Sequence, residues 1–295
     1  MQEWIPLAQA HRARVEPWIS GHLERRRRGQ ANAVNDFLFD YYPYSPGKLA
    51  TWHPGFGIVL EGPQAMEYLQ YSGYHESGGG VTADISWLDS RRDRLDSAIA
   101  ILDASAARPP MSGCFALHEW AMVYGLEQAE VRHSSLPLRL APTQVAEVVD
   151  EIGLRCTHFD AFRFFTADAE PLNTNALSRS TQAQFEQPGC IHASMDLYKY
   201  ASWFSPLVSS DLVMDCFENA ALARELDMRS SPYDVREFGL TSILIETPEG
   251  RQEYRVQQEA MIQRTSPLRN RLAGTLKALA EAHDRTECGH GIACP

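Results

Sequence analysis

A chain of 295 residues, 44% of them hydrophobic, has the length for one large domain or two small ones and is too apolar for global disorder. Its formal charge of −11 opposes strong non-specific binding to nucleic acid, though it leaves room for a local basic groove. No run approaches the roughly 20 apolar residues that cross a bilayer, the start Met1-Gln-Glu-Trp-Ile-Pro6 lacks a secretory pattern, and six cysteines between Cys114 and Cys294 are too sparse for a disulfide scaffold, so the expectation is a cytoplasmic protein with no membrane association and with free or metal-binding thiols.

In chain order, Leu7, Val15, Trp18, Ile19 and Leu23 predict a helix over 5–28, kinked or split at Pro17. It closes on Arg25, Arg26, Arg27, Arg28 and Gly29, which suits the negative end of a helix dipole or, alternatively, an anion such as DNA phosphate. The aromatic run from Asp36 to Tyr44, followed by Trp52-His-Pro-Gly55, forms either a core edge or a surface for stacking bases. Pro63 opens a short helix to about Tyr71. Tyr74 to Gly80, with Gly78, Gly79 and Gly80 at its end, reads as a flexible loop or lid. No glycine-rich phosphate motif is present, so no nucleotide cofactor is expected.

A surface helix is expected over 84–107, from Leu88, Leu95, Ile99 and Leu102. A buried helix is expected over 113–127, with His118 and Glu119 as its strongly polar side chains. A strand at 136–141 and a helix at 142–150 lead to 154–165, whose Phe, Thr and Cys content predicts a strand with Cys156, His158, Asp160, Phe162 and Phe164 on one face. After a polar loop, a helix over 191–204 places His192 and Asp196 one turn apart, with Lys199 a turn further on. Helices at 210–228 and 267–283 and a β-hairpin over 242–256 complete the chain, before a flexible tail, 286–295, that carries Cys288, His290 and Cys294. The expected fold class is α+β: a mostly helical single domain over 1–285 with a small mixed β-sheet from 136–141, 154–165 and 242–256.

The stretch from Leu154 to Lys199 concentrates the chemistry. Charged groups sit there inside runs of Phe, Leu, Met and Tyr, and a charge buried alone costs several kcal/mol, about enough to demand pairing, a metal or a catalytic role. His118, His133, His158 and His192, with Glu119, Asp160 and Asp196, supply the donors of a metal site. His158, Asp160 and His192 follow the ligand order of a two-His, one-carboxylate Fe(II) centre, with His118 as a further ligand and Zn(II) as the other candidate ion. A metal-free site is the second reading: Asp160, Asp196 or Glu119 activates water, while Arg139, Arg163 or Lys199 anchors an anion. In the third, the histidines are core residues bonded to the aspartates.

Several runs together resemble a known family. These are Asp36-Phe-Leu-Phe, Trp52-His-Pro-Gly, Leu117-His-Glu-Trp-Ala-Met-Val-Tyr124, His158-Phe-Asp-Ala-Phe-Arg-Phe-Phe165, Gln187-Pro-Gly-Cys-Ile-His192, Met195-Asp-Leu-Tyr-Lys199, Glu225-Leu-Asp-Met-Arg229 and Glu246-Thr-Pro-Glu-Gly-Arg251. They are similar to the actinobacterial family commonly labelled 3-methyladenine DNA glycosylase, over about residues 10–275. The resemblance implies hydrolysis of the N-glycosidic bond of alkylated purines in DNA repair, with Asp160 or Asp196 stabilising a sugar cation and Arg25, Arg26, Arg27 and Arg28 gripping DNA. The functional expectations are thus a metal-dependent enzyme, hydrolase or oxidoreductase, acting on a small molecule; a DNA glycosylase; or a non-enzymatic binding protein. Oligomeric state has no signature in the chain.

Overall fold

The computed structural model describes the backbone of residues 3–131 and 136–289, and side chains as far as Thr286. His133, a metal-donor candidate above, and His290, Cys294 and the side chain of Cys288 in the tail lie outside the described residues. The chain is mostly helical with one small sheet, an α+β protein. The elements are α1 (Ile5–Arg27), α2 (Phe37–Tyr41), α3 (Pro46–Ala50), β1 (Val59–Leu60), β2 (Tyr74–Ser77), β3 (Gly80–Ala83), α4 (Arg92–Ala106), α5 (Leu117–Ala121), α6 (Pro142–Ile152), α7 (Phe159–Phe162), α8 (Gln182–Phe185), α9 (Ile191–Trp203), α10 (Ser210–Arg229) and α11 (Pro248–Gly289). Among the described residues no helix is long and apolar enough to cross a membrane. The chain forms two compact units, one from Met1–Ala100, Leu197–Glu218 and Leu268–Pro295, the other from Ile101–Asp196 and Asn219–Pro267.

In the first unit, α1 runs unbroken through Pro17 and buries His11, Val15, Ile19 and His22. Leu7 and Leu23, expected on the inner face, are exposed, because polar anchors set the helix rotation. His11 Nε2 lies 2.8 Å from the Leu49 carbonyl and His22 Nδ1 lies 2.9 Å from Asp36. The arginine run is partly consumed at the helix end: Arg25 pairs with buried Asp36 at 2.6 Å and Arg28 with Glu24 at 2.5 Å. Arg26 and Arg27 are exposed and make no ion pair with a described residue.

The sheet lies here, and it is antiparallel rather than mixed, in the order β1-β3-β2. The glycine-rich stretch expected as a loop is its hairpin. Ser77 pairs with Gly80 across Gly78 and Gly79, whose φ values of +60° and +82° are those that a two-residue turn requires. Gly80 packs so closely on the Leu60 carbonyl that a Cβ would overlap it. Tyr42, Tyr44 and Trp52 go into the core, while Phe37, Phe39 and Tyr41 are half-buried. Trp4 stacks on Trp52 with ring centres 6.2 Å apart, and Tyr42 and Tyr44 meet Tyr198 edge-on.

In the second unit none of the three expected strands forms. Leu138 and Leu154 make single bridges, to Tyr233 and Asn173. Strand pairing beyond Leu154 is blocked by the Asn173 side chain, whose amide accepts from Cys156 N at 2.7 Å and donates to Cys156 O at 3.1 Å. It thus occupies both backbone groups that a neighbouring strand would use. The chain then turns into α7, so Cys156, His158 and Asp160 do not share a strand face. The expected hairpin at 242–256 is instead a helix start. Pro248 suits the first helical position, and the Thr247 hydroxyl accepts from Gly250 N at 3.0 Å as a cap. The buried helix expected over 113–127 shrinks to α5, because Phe115 (φ 48°) and Ala116 (φ 57°) are left-handed and cannot continue a right-handed helix.

Candidate metal centre

The left-handed pair before α5 does more than stop a helix. Each such residue costs about 1–2 kcal/mol outside glycine, and strain of this kind persists only where surrounding structure imposes it. Here it turns α5 so that consecutive residues His118, Glu119 and Trp120 are all buried. Opposite them, Arg224 and Asp227 lie one turn apart on α10 and are also buried. Trp120 fastens the arrangement, since its Nε1 donates to the Ser230 carbonyl at 2.9 Å.

The third element is the start of α9. Gln187 Oε1 accepts from Met111 N at 2.8 Å and from Gly189 N at 2.7 Å, and the Gly189 carbonyl accepts from Gln258 at 2.6 Å. This clamp sets the helix entry and delivers His192 in the first turn, with its ring 4.3 Å from that of His118 and 5.2 Å from that of His158.

Two groups of donors result. His118, His192 and Asp227 each offer one ligand atom, all within 4.8 Å of one another, and all three residues are buried. His158, Asp160 and Asp196 form a second group on the same criterion. In the first group His118 Nε2 and Asp227 Oδ1 are 2.8 Å apart, an ion-pair contact, and His192 Nδ1 has no hydrogen bond among the described residues. In the second, His158 lies between Glu186 at 3.2 Å and Asp196 at 3.4 Å.

Charge is balanced at the first group. Arg224 Nη1 donates to Glu119 at 2.7 Å and to Asp227 Oδ2 at 2.8 Å. Burial by itself would lower the His118 pKa, but the charge of Asp227 and the direct contact with its carboxylate outweigh it, helped by a hydrogen bond to Cys114, and push it up to about 10. Burial would raise the Asp227 pKa, and His118 with Arg224 reverses that, holding it well below the ordinary carboxylate range. His192 is driven the other way, by burial and then by the nearby charge of His118, and stays neutral. His192 is thus in the protonation state that a metal ligand needs, whereas His118 is an imidazolium paired with Asp227 and must give up its proton to hold an ion.

A small cavity of ≈ 10 Å³ adjoins the pair and is lined by His118, His192, Cys114, Cys156, Cys190 and Tyr254 among others. About 10–15 Å³ on this measure holds one water. Burial pushes the Cys156 and Cys190 thiols and the Tyr254 hydroxyl upward, so these groups are protonated and poor ligands as they stand.

Of the residues singled out in the sequence, His118, Glu119, His158, Asp160, His192 and Asp196 fall in or beside these groups. Their partition differs from the expected order: His158 and Asp160 go with Asp196, and His192 goes with His118 and Asp227. Arg163 lies 3.8 Å from Asp160, whose firmer partner is Arg179 at 2.7 Å. Arg139 is committed to Glu246, with one contact of 2.8 Å, and lies over Trp120. Lys199 belongs to the first unit, where its ammonium lies 4.9 Å from the Tyr200 ring and 5.6 Å from the Trp203 ring. Asp227, Arg224 and Glu186 escaped sequence reasoning. Asp227 was findable, because it stands between Leu226 and Met228, the same charge-in-apolar-run signal that flagged His158 and Asp196. Compared with known proteins, the chain matches no family model, no curated protein and no solved structure.

Proposed function

We propose that the protein is a metal-dependent enzyme acting on a small molecule, with the ion held by His118, His192 and Asp227. One observation carries this reading: His118, His192 and Asp227 each bring a buried ligand atom within 4.8 Å of the others, and His192 Nδ1 has no hydrogen-bond partner among the described residues. Leaving that atom buried and unsatisfied costs about 1–3 kcal/mol, and a divalent cation would satisfy it while taking the place of the proton between His118 and Asp227. Two imidazoles and one carboxylate leave coordination positions open, the pattern of Fe(II) and catalytic Zn(II) sites. Such an ion supplies Lewis acidity and lowers the pKa of a bound water. The adjoining cavity has the room for that water. Arg224 orients Asp227 from its other oxygen, and Glu119, Glu186 and Asp196 are the nearby bases for proton transfer.

The test is metal analysis of the purified protein beside His192→Ala and Asp227→Asn. The expected result is about one Fe or Zn per chain in the wild type, lost in both variants. Wild-type protein that purifies metal-free and takes up neither ion on reconstitution would sink the proposal.

A second reading, the glycosylase implied by the resemblance, is favoured by the setting of Asp160. Its carboxylate lies beside Arg179 and Arg163, whose side chains are 63% and 46% exposed, as suits a carboxylate facing a sugar cation next to phosphates. Release of base from alkylated DNA, abolished by Asp160→Asn while metal content is unchanged, is the outcome this reading requires.

A further inference from the structure

The first unit contains an open cleft of ≈ 650 Å³, within the size range of small-molecule sites. Among the described residues its lining includes Lys48, Arg91 and Arg94 and not one Asp or Glu, in a chain whose net charge is −11. That is a local reversal of the protein's overall sign. The arginines are not consumed by ion pairs with described residues. Arg92, between them, pairs with Asp96 and Asp284, whereas Arg91 donates only to the Trp87 carbonyl and the Ser90 hydroxyl, both at 2.9 Å.

Asp93 stands between Arg91 and Arg94 in the first turn of α4 and offsets part of their charge. Arg91 and Arg94 are three residues apart at the start of α4, where like charges repel and the positive end of the helix dipole disfavours cations. The same geometry becomes favourable once an anion lies against it. The guanidinium groups are also held in place by stacking: Arg91 lies 3.7 Å from the Trp87 ring centre and Arg94 lies 5.0 Å from that of Trp203. Trp87, Trp203 and exposed Tyr71 give the cleft flat apolar walls beside those cations.

We propose that this cleft binds a small aromatic oxyanion, a phosphomonoester or carboxylate borne on a flat ring. The oxyanion sits on Arg91 and Arg94, which offer the forked donors that phosphate and carboxylate accept, and the ring lies against the tryptophans. The site is independent of the donor groups of the second unit, so it stands whether or not a metal is found there.

Titration calorimetry of the full chain with phenyl phosphate, benzoate, inorganic phosphate and benzyl alcohol tests it. Saturable binding of phenyl phosphate or benzoate is expected, at least about tenfold tighter than of inorganic phosphate or benzyl alcohol. The stronger of the two aromatic anions names the oxyanion. Arg94→Gln, at an exposed position, should weaken that binding about tenfold or more with the thermal midpoint unchanged, and Arg91→Gln should act in the same direction. The proposal is overturned if neither aromatic anion binds at millimolar concentration. It is equally overturned if inorganic phosphate binds as well as phenyl phosphate, or if both arginine variants bind like the wild type.

Discussion

His118 and His53 are both buried, and their surroundings push them in opposite directions. His118 faces Asp227 across 2.8 Å in the second unit, and the carboxylate overcomes the cost of burial and raises its pKa to about 10. His53, in the first unit, lies among Tyr68, Tyr71 and Tyr74; burial, with a smaller contribution from His11, lowers its pKa to about 4. Burial lowers the pKa of both histidines, and only at His118 does a charged partner reverse it. The carboxylate partner decides at His118 and burial decides at His53.

The sharpest way to break this comparison is Asp227→Asn. It leaves Arg224 and His118 buried with less compensating charge, and removal of one partner from such a set typically costs about 3–5 kcal/mol. Urea denaturation should show a loss of that size. Arg94→Gln in the first unit should change stability by less than about 0.5 kcal/mol, since it removes no buried partner. Equal losses would mean that the two regions are not built differently.

The pH dependence of the melting temperature separates the two histidines. In metal-free protein the raised pKa of His118 contributes stability that is fully present below about 6.5 and declines as pH rises towards about 10. The lowered pKa of His53 contributes stability that is present above about 6.5 and declines as pH falls towards about 4. His53→Phe should lessen the acid limb, to which His192 and the paired Asp36 and Asp227 also contribute, and leave the alkaline one in place. Bound metal should flatten the alkaline limb, because a ligating imidazole is already neutral.

A smaller effect is expected at the hairpin. Gly80→Ala places a methyl group against the Leu60 carbonyl, and overpacking of this kind costs about 1–3 kcal/mol, to be read as a lower denaturation midpoint with unchanged metal content. Least of all, the double variant Arg26→Gln, Arg27→Gln should move stability by under about 0.5 kcal/mol, because both side chains are exposed and unpaired among the described residues. Loss of salt-dependent DNA binding in that variant would then report phosphate contact and not unfolding.

Much of the helical content was legible because helices announce themselves locally. The periodicity at 142–150, 191–204 and 210–228 corresponds to α6, α9 and α10, and the i, i+4 placement of His192 and Asp196 follows from it. The strands were not legible. Residues 154–165 have strand composition, but a side-chain amide nineteen or fewer residues away, that of Asn173, takes the backbone groups of Cys156 before any strand can. Thr247-Pro-Glu-Gly reads as well as a turn as it does as a capped helix start, and only the hydroxyl contact to Gly250 distinguishes them.

What the sequence by itself determined is the presence of costly groups: His118, His158, Asp160, His192 and Asp196 stand in apolar runs and had to be paired or used, whatever the fold. What only the tertiary structure decided is which of them meet. Asp227 and Arg224 come to His118 from more than a hundred residues away, and His158 falls to Asp196 and Glu186 although His192 is nearer in sequence to both. Charge pairing acts over a few ångströms of space, and distance along the chain does not measure it.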